Sequence, residues 1–130
     1  MEEISVLYNN CYGGYIISNK VLKIYNKKMK EINPDFIPIV DSTNLFYQRH
    51  NPVVVQIYNE IGKEFNESFT DVKIKKIPKI YENHYIINDY NGLEKVEIQY
   101  DKYKLDKVKE ILNEDKTDKE KIEAIESLLG

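Results

Sequence analysis

Asn91-Gly92, set between two β-rich runs, constrains the fold of this chain more than any other feature. A two-residue type I′ turn needs positive φ at both central positions, and the Asn-Gly pair meets that need best. The flanking runs, ending at Tyr90 and restarting at Leu93, therefore fold back as a hairpin with a fixed register. Ile87 falls opposite Val96, and Tyr85 opposite Ile98. The same register sets Asp89 against Glu94, a like-charge pair that sheets avoid. Two acids in that position suit a bound cation, but solvated charges beside a hairpin tip are the commoner case.

Upstream, Ile4-Ser5-Val6-Leu7-Tyr8 has the length and β-branched content of a buried strand. It stops at Asn9-Asn10 and runs into a Cys11-Tyr12-Gly13-Gly14 turn. Ser18 is a good helix N-cap, and Val21, Leu22, Tyr25, Met29 and Ile32 then recur at helical spacing until Asn33-Pro34 ends the helix. Phe36–Val40 reads as a short edge strand or an extended loop, and Asp41-Ser42-Thr43-Asn44 as a turn. Asn51 followed by Pro52 starts a second helix with Val54, Ile57, Tyr58, Ile61 and Phe65 on its buried stripe. Val72-Lys73-Ile74-Lys75 alternates as a half-exposed strand. Beyond Tyr100 the chain is charged and helical, with stripes Leu105, Val108, Ile111, Leu112 and then Ile122, Ile125, Leu129; Thr117 and Glu120 form a capping box. The expectation is an α+β fold: a small mixed or antiparallel sheet with a C-terminal β-hairpin, packed by two amphipathic helices. Residues 1–100 form its core, and 101–130 a charged helical hairpin tail within the same domain.

At 130 residues and 42% hydrophobic content the chain fits one domain with one core. A net charge of -3 with interleaved acids and bases argues against binding extended nucleic acid through phosphate neutralisation. No segment is long and apolar enough to span a membrane, and the Met-Glu-Glu start is unlike a signal peptide. One cysteine precludes an internal disulfide, which suits a reducing, cytoplasmic setting. With so few histidines and cysteines and no tight ligand spacing, neither a metal site nor a cofactor is expected.

Candidate functional residues cluster around turns. Gly13 and Gly14 permit positive φ and close approach of a ligand or of another stretch of backbone. Cys11 at a strand end could serve as a nucleophile with His50 as base and Asp41 orienting the imidazole. The plainer reading is a small residue beside a tight turn. Arg49, the sole arginine, precedes the second helix, where a guanidinium and free amide donors suit an anion. It could equally pair with Asp41 or another surface acid. Among the 11 tyrosines, Tyr12, Tyr15, Tyr47 and Tyr90 lie in or near turns, where tyrosine often lines pockets.

With these residues in view, the chain resembles a group of small proteins from phages and large DNA viruses. The resemblance rests on Asn9-Asn10-Cys11-Tyr12-Gly13-Gly14-Tyr15-Ile16-Ile17-Ser18. Two weaker blocks follow in order: Arg49, Asn51-Pro52 and Glu60-Ile61-Gly62, then Ile77-Pro78 and Tyr90-Asn91-Gly92. It covers about residues 4 to 100 and excludes the tail. Asn51 stands where that group often has Asp. What the resemblance implies is the fold and a viral origin, and it brings no activity. The richness in Lys, Ile, Asn and Tyr without Trp is associated with AT-rich genomes, including those of such viruses.

Together these features favour a viral accessory protein that binds a small anionic ligand or a host protein without turnover. One version is an anti-defence protein sequestering a nucleotide immune signal in the host cytoplasm. The binding set would be Cys11, Tyr12, Gly13, Gly14, Tyr15, Arg49, His50 and Tyr90. The alternatives are a small enzyme using Cys11 and His50, and an interaction or homo-oligomerisation module built on the tail.

Overall fold

Strand β1 (Glu3–Asn9) pairs antiparallel with β2 (Val72–Pro78) in the computed structural model, which describes residues 2–130. Leu7 lies opposite Ile74 and Val6 opposite Lys75. Because side chains alternate across a strand, the two faces of this ribbon meet different partners. Leu7, Val72 and Ile74 join the main core; Val6 and Ile77, equally buried, lie on the opposite face.

The main core is closed by helices α1 (Asn19–Ile32) and α3 (Pro52–Ile61). Val21, Leu22 and Tyr25 of α1 meet Val54 and Ile57 of α3, with Phe65 sealing the end. Full burial of each such side chain contributes about 1.5–3 kcal/mol. Both helices start as their caps dictate: Ser18 Oγ accepts from the Val21 amide at 3.1 Å, and Asn51 Oδ1 from the Val53 amide at 2.9 Å. Gly62, with φ of +57°, ends α3 and tightens the chain into the 3₁₀ turn that carries Phe65.

Between the two helices, Phe36–Val40 is an extended loop and not a strand. The Asn26 side chain brackets Ile39, donating to its carbonyl and accepting from its amide, both at 2.9 Å, and so replaces a strand partner. Thr43–Phe46 forms a single helical turn, α2, where the residues suggested only a turn.

Strands β3 (Tyr85–Tyr90) and β4 (Leu93–Ile98) make a second two-stranded antiparallel sheet in the expected register, with Ile87 opposite Val96 and Asp89 opposite Glu94. Asn91 and Gly92 both have positive φ, as a type I′ turn requires. The architecture is thus α+β, with its strands in two ribbons. The tail begins at Tyr100 as α4 (Tyr100–Leu112) and turns back as α5 (Asp118–Leu129). Tyr81 packs edge-on against Tyr100 and Tyr103, while His84 Nε2 lies 2.8 Å from Asp106 Oδ2. These contacts hold α4 to the segment that leads from β2 into β3. Among the described residues no helix is long and apolar enough to cross a membrane.

Candidate functional site

The two glycine turns of the sequence are one structural joint. Gly92 at the hairpin tip packs against the backbone of the Cys11 turn: a Cβ there would lie 2.5 Å from both the Gly14 amide and the Tyr12 carbonyl. A Cβ on Gly13 would overlap the Phe69 carbonyl. The space beside Gly13 is therefore filled by protein backbone, not left for a ligand. Gly14, with φ of +86°, is needed for its conformation alone, since nothing crowds it.

Asn9, fully buried, ties this joint together. Its side-chain nitrogen donates to the carbonyls of Cys11 (2.9 Å) and Gly92 (3.0 Å), and its Oδ1 accepts from the Asp71 amide (2.7 Å). One buried amide thus links the end of β1, the Cys11 turn, the hairpin tip and the entry to β2. Cys11 Sγ donates to the Phe69 carbonyl at 3.0 Å.

The other half of the network is Arg49. Its guanidinium makes a two-pronged pair with Glu94, at 2.7 and 2.9 Å, and both side chains are almost wholly buried. Nε donates to the Phe46 carbonyl, Nη1 makes a longer bond to the Leu7 carbonyl, and the plane lies 3.7 Å from the Tyr15 ring centre. Glu94 also accepts from the Asn9 amide, while the Leu7 amide donates to the Arg49 carbonyl. All these groups meet at the edge of β1 that β2 leaves free. An open edge invites further strand pairing. Here an arginine, its own carbonyl and a glutamate cap that edge, so β4 lies beside β1 without entering its ladder.

Two sequence expectations are corrected by this geometry. Arg49 pairs with a buried acid, so its charge is neutralised and it is not the counter-charge for an anion. Glu94 is not a solvated charge at a hairpin tip, and Asp89 instead accepts from the Gly92 amide at 2.7 Å. Nor do Cys11, His50 and Asp41 assemble. His50 Nδ1 lies 2.6 Å from the Tyr85 hydroxyl, and Asp41 Oδ1 accepts from the Thr43 amide at 2.9 Å. Burial pushes the Tyr85 phenol up to about 12, with Arg49 opposing the shift. Burial likewise raises the Tyr15 phenol, against the pull of Arg49. Tyr15 is thus a wall of the arginine slot, whereas Tyr12, Tyr47 and Tyr90 are well exposed. Among the described residues no group of His, Cys, Asp and Glu is placed to hold a metal.

Grooves of about 520 Å³ each flank the hairpin. One, holding Arg49 and His50, is walled by Glu82, Asp89 and the Arg49-paired Glu94, so its unpaired charges are acidic. The other runs between the β1–β2 ribbon and β4, lined by Tyr8, Asn10, Lys75, Asn88, Tyr90 and Lys95. Lys75 and Lys95 form no ion pair among the described residues. Of the expected binding set, this second groove takes Tyr90 alone; Tyr8, Lys75 and Lys95 were missed, being scattered over three strands. Of these, only Lys95 had a signal in the sequence, through the hairpin register that sets it opposite Asn88; the β1–β2 register that places Lys75 comes from the fold alone.

No family model matches the chain, and neither does any curated protein or solved structure.

Proposed function

We propose that the protein binds a small anionic ligand without chemical turnover, in the groove between β2 and the hairpin. The supporting observation is the pair of lysines, Lys75 and Lys95, that form no ion pair among the described residues and face one groove with Tyr8 and Tyr90. Its volume, about 520 Å³, falls within the roughly 300–1,000 Å³ usual for small-molecule sites. Lysines suit phosphate as point charges, tyrosine rings offer a stacking surface, and the Asn10 and Asn88 amides both donate and accept. The Glu94 carboxylate at the groove floor is already neutralised by Arg49, so it does not cancel the lysines.

A nucleotide fits this combination better than an aliphatic acid, because only the nucleotide uses the rings. The specific version is a viral anti-defence protein that holds a nucleotide immune signal. Its viral component is supported by the resemblance in the Cys11 block. Calorimetric titration with cyclic dinucleotides, cyclic mononucleotides and ADP-ribose tests the proposal. Binding that is lost in Lys75→Glu and Lys95→Glu, with the ligand recovered intact, is the expected result. No heat with any of these ligands removes the nucleotide version. Undiminished binding in both lysine variants removes the groove.

A further inference from the structure

The tail helices leave an apolar face uncovered, and we infer that it is a self-association surface that joins two copies of this chain through their α4–α5 hairpins. No residue of either helix is buried. Leu105, Leu112, Ile122 and Leu129 are each more than half exposed. Seven residues span nearly two helical turns, so Leu105 and Leu112 lie on one line along α4, and Ile122 and Leu129 on one line along α5. Ile111 follows Leu105 by six positions, and Leu128 follows Ile122 by six, each about 120° around its helix. Both line the groove toward Tyr81 and Tyr103. In two helices that run back alongside each other, equal offsets from a shared groove bring the exposed lines to the same side. The four side chains therefore form one face, turned away from the rest of the protein.

The charges beside that face suit a second copy. Lys102 and Lys109 lie on one side of the α4 line, with Asp101 on the other; Glu126 lies on one side of the α5 line together with Lys119 and, further round, Glu123, with Asp118 on the other. None of Lys102, Lys109, Glu123 and Glu126 forms an ion pair among the described residues. A two-fold arrangement that lays α4 on α5 of the other copy sets these lysines against those glutamates twice, as an isologous interface requires. A different partner would have to reproduce that distribution, whereas a second copy carries it already. Two helices, each about 20 Å long and 10 Å across, present roughly 400 Å² in projection. Standard interfaces bury about 800 Å² per partner, so the dimer is a reversible, concentration-dependent one.

Light scattering on the full chain, eluted over a wide range of loading concentrations, tests this. The mass is expected to rise from 15.4 kDa toward twice that value as concentration increases. Leu105→Glu with Leu129→Glu should hold the chain at the monomer mass, with helical circular dichroism unchanged because both positions are exposed. Lys109→Glu should weaken the dimer, and adding Glu126→Lys should restore it. Wild-type protein that stays monomeric up to about 1 mM, the weak end of measurable association, overturns the inference. So does a dimer that survives the double leucine variant. Failure of the charge exchange to restore association overturns the α4-on-α5 arrangement.

Discussion

Replacing Glu94 with Gln keeps the shape of the buried pair and removes only its charge. The Asn9 amide retains an acceptor, and one prong to Arg49 survives, but the guanidinium is left buried without a counter-ion. Breaking a buried pair from one side costs about 3–5 kcal/mol. The Phe46 and Leu7 carbonyls and the Tyr15 ring, 3.7 Å away, still accommodate the cation, which places the expected loss at the lower end. At a typical urea slope of about 2 kcal/mol/M, 3 kcal/mol lowers the unfolding midpoint by about 1.5 M. Glu94→Ala should cost about 1–3 kcal/mol more, because the Asn9 amide then loses its partner as well. Arg49→Met with Glu94→Leu should recover the part of the loss that comes from burying an unpaired charge, but not the part from the orphaned Asn9 amide. Urea unfolding of the wild type, Arg49→Met, Glu94→Leu and the double variant, followed by circular dichroism or by tyrosine fluorescence in this tryptophan-free chain, supplies all four corners of a double-mutant cycle. The reasoning fails if Glu94→Gln costs under about 1 kcal/mol, or if the coupling is below the roughly 0.5 kcal/mol at which distant sites still add.

Substitutions in the glycine joint should destabilise the fold by two different routes. Gly13→Ala should cost about 1–3 kcal/mol by forcing the Phe69 loop outward, and Gly14→Ala about 1–2 kcal/mol from positive φ alone, both read from urea midpoints. At low pH, His84 holds the Asp106 carboxyl below its ordinary range through their hydrogen bond. A depressed carboxyl stabilises fully above its unfolded value of about 3.9, and that contribution is lost as pH falls through the folded value. Acid should therefore loosen α4 from the segment that leads into β3, seen by NMR, and Asp106 should titrate closer to its ordinary range in His84→Ala, with Lys102 and Lys109 still lowering it; an identical titration in both proteins refutes the link. At high pH, the Tyr85 phenol, raised to about 12, contributes stability below its unfolded value and loses it as pH climbs toward 12. Absorbance titration at alkaline pH should show two late-ionising tyrosines, Tyr15 and Tyr85, and Tyr85→Phe should remove the one that titrates near 12 while leaving the other.

Local chemistry was legible in the sequence wherever a single turn or cap decides the outcome. Asn91-Gly92 fixed the hairpin register, and Ser18, Asn51-Pro52 and Thr117 began their helices as expected. Legibility ended where partners come from distant segments. Arg49 and Glu94 are far apart in the chain, and nothing near either residue announces the other. The one available signal was the disfavoured Asp89–Glu94 pair: sheets tolerate such a pairing when one member has a counter-ion elsewhere, and the chain holds a single arginine. The Cys11 turn misled for a related reason. Its glycines do admit a close approach, but the approaching groups are Phe69 and Gly92, and only the folded chain identifies them.

The buried pair also accounts for the groove. Had β4 hydrogen-bonded to the free edge of β1, the two ribbons would have fused into one sheet and placed adjacent strands about 4.8 Å apart. Arg49 and Glu94 occupy that edge with side chains, which are longer than a hydrogen-bonded rung, and so hold the hairpin apart from the ribbon while still attached to it. The cleft that results is the one lined by Tyr8, Lys75, Tyr90 and Lys95. Its edges are therefore held by side-chain contacts, the Arg49–Glu94 pair and the Asn9 bond to the hairpin tip, not by a backbone ladder. A hydrophobic pair at 49 and 94 that restores part of the stability should nonetheless narrow the cleft, because it removes the fixed two-pronged spacing. In that case stability and ligand binding would part company: the doubly substituted protein would unfold at a higher midpoint than Glu94→Ala yet bind no better than it in the calorimeter.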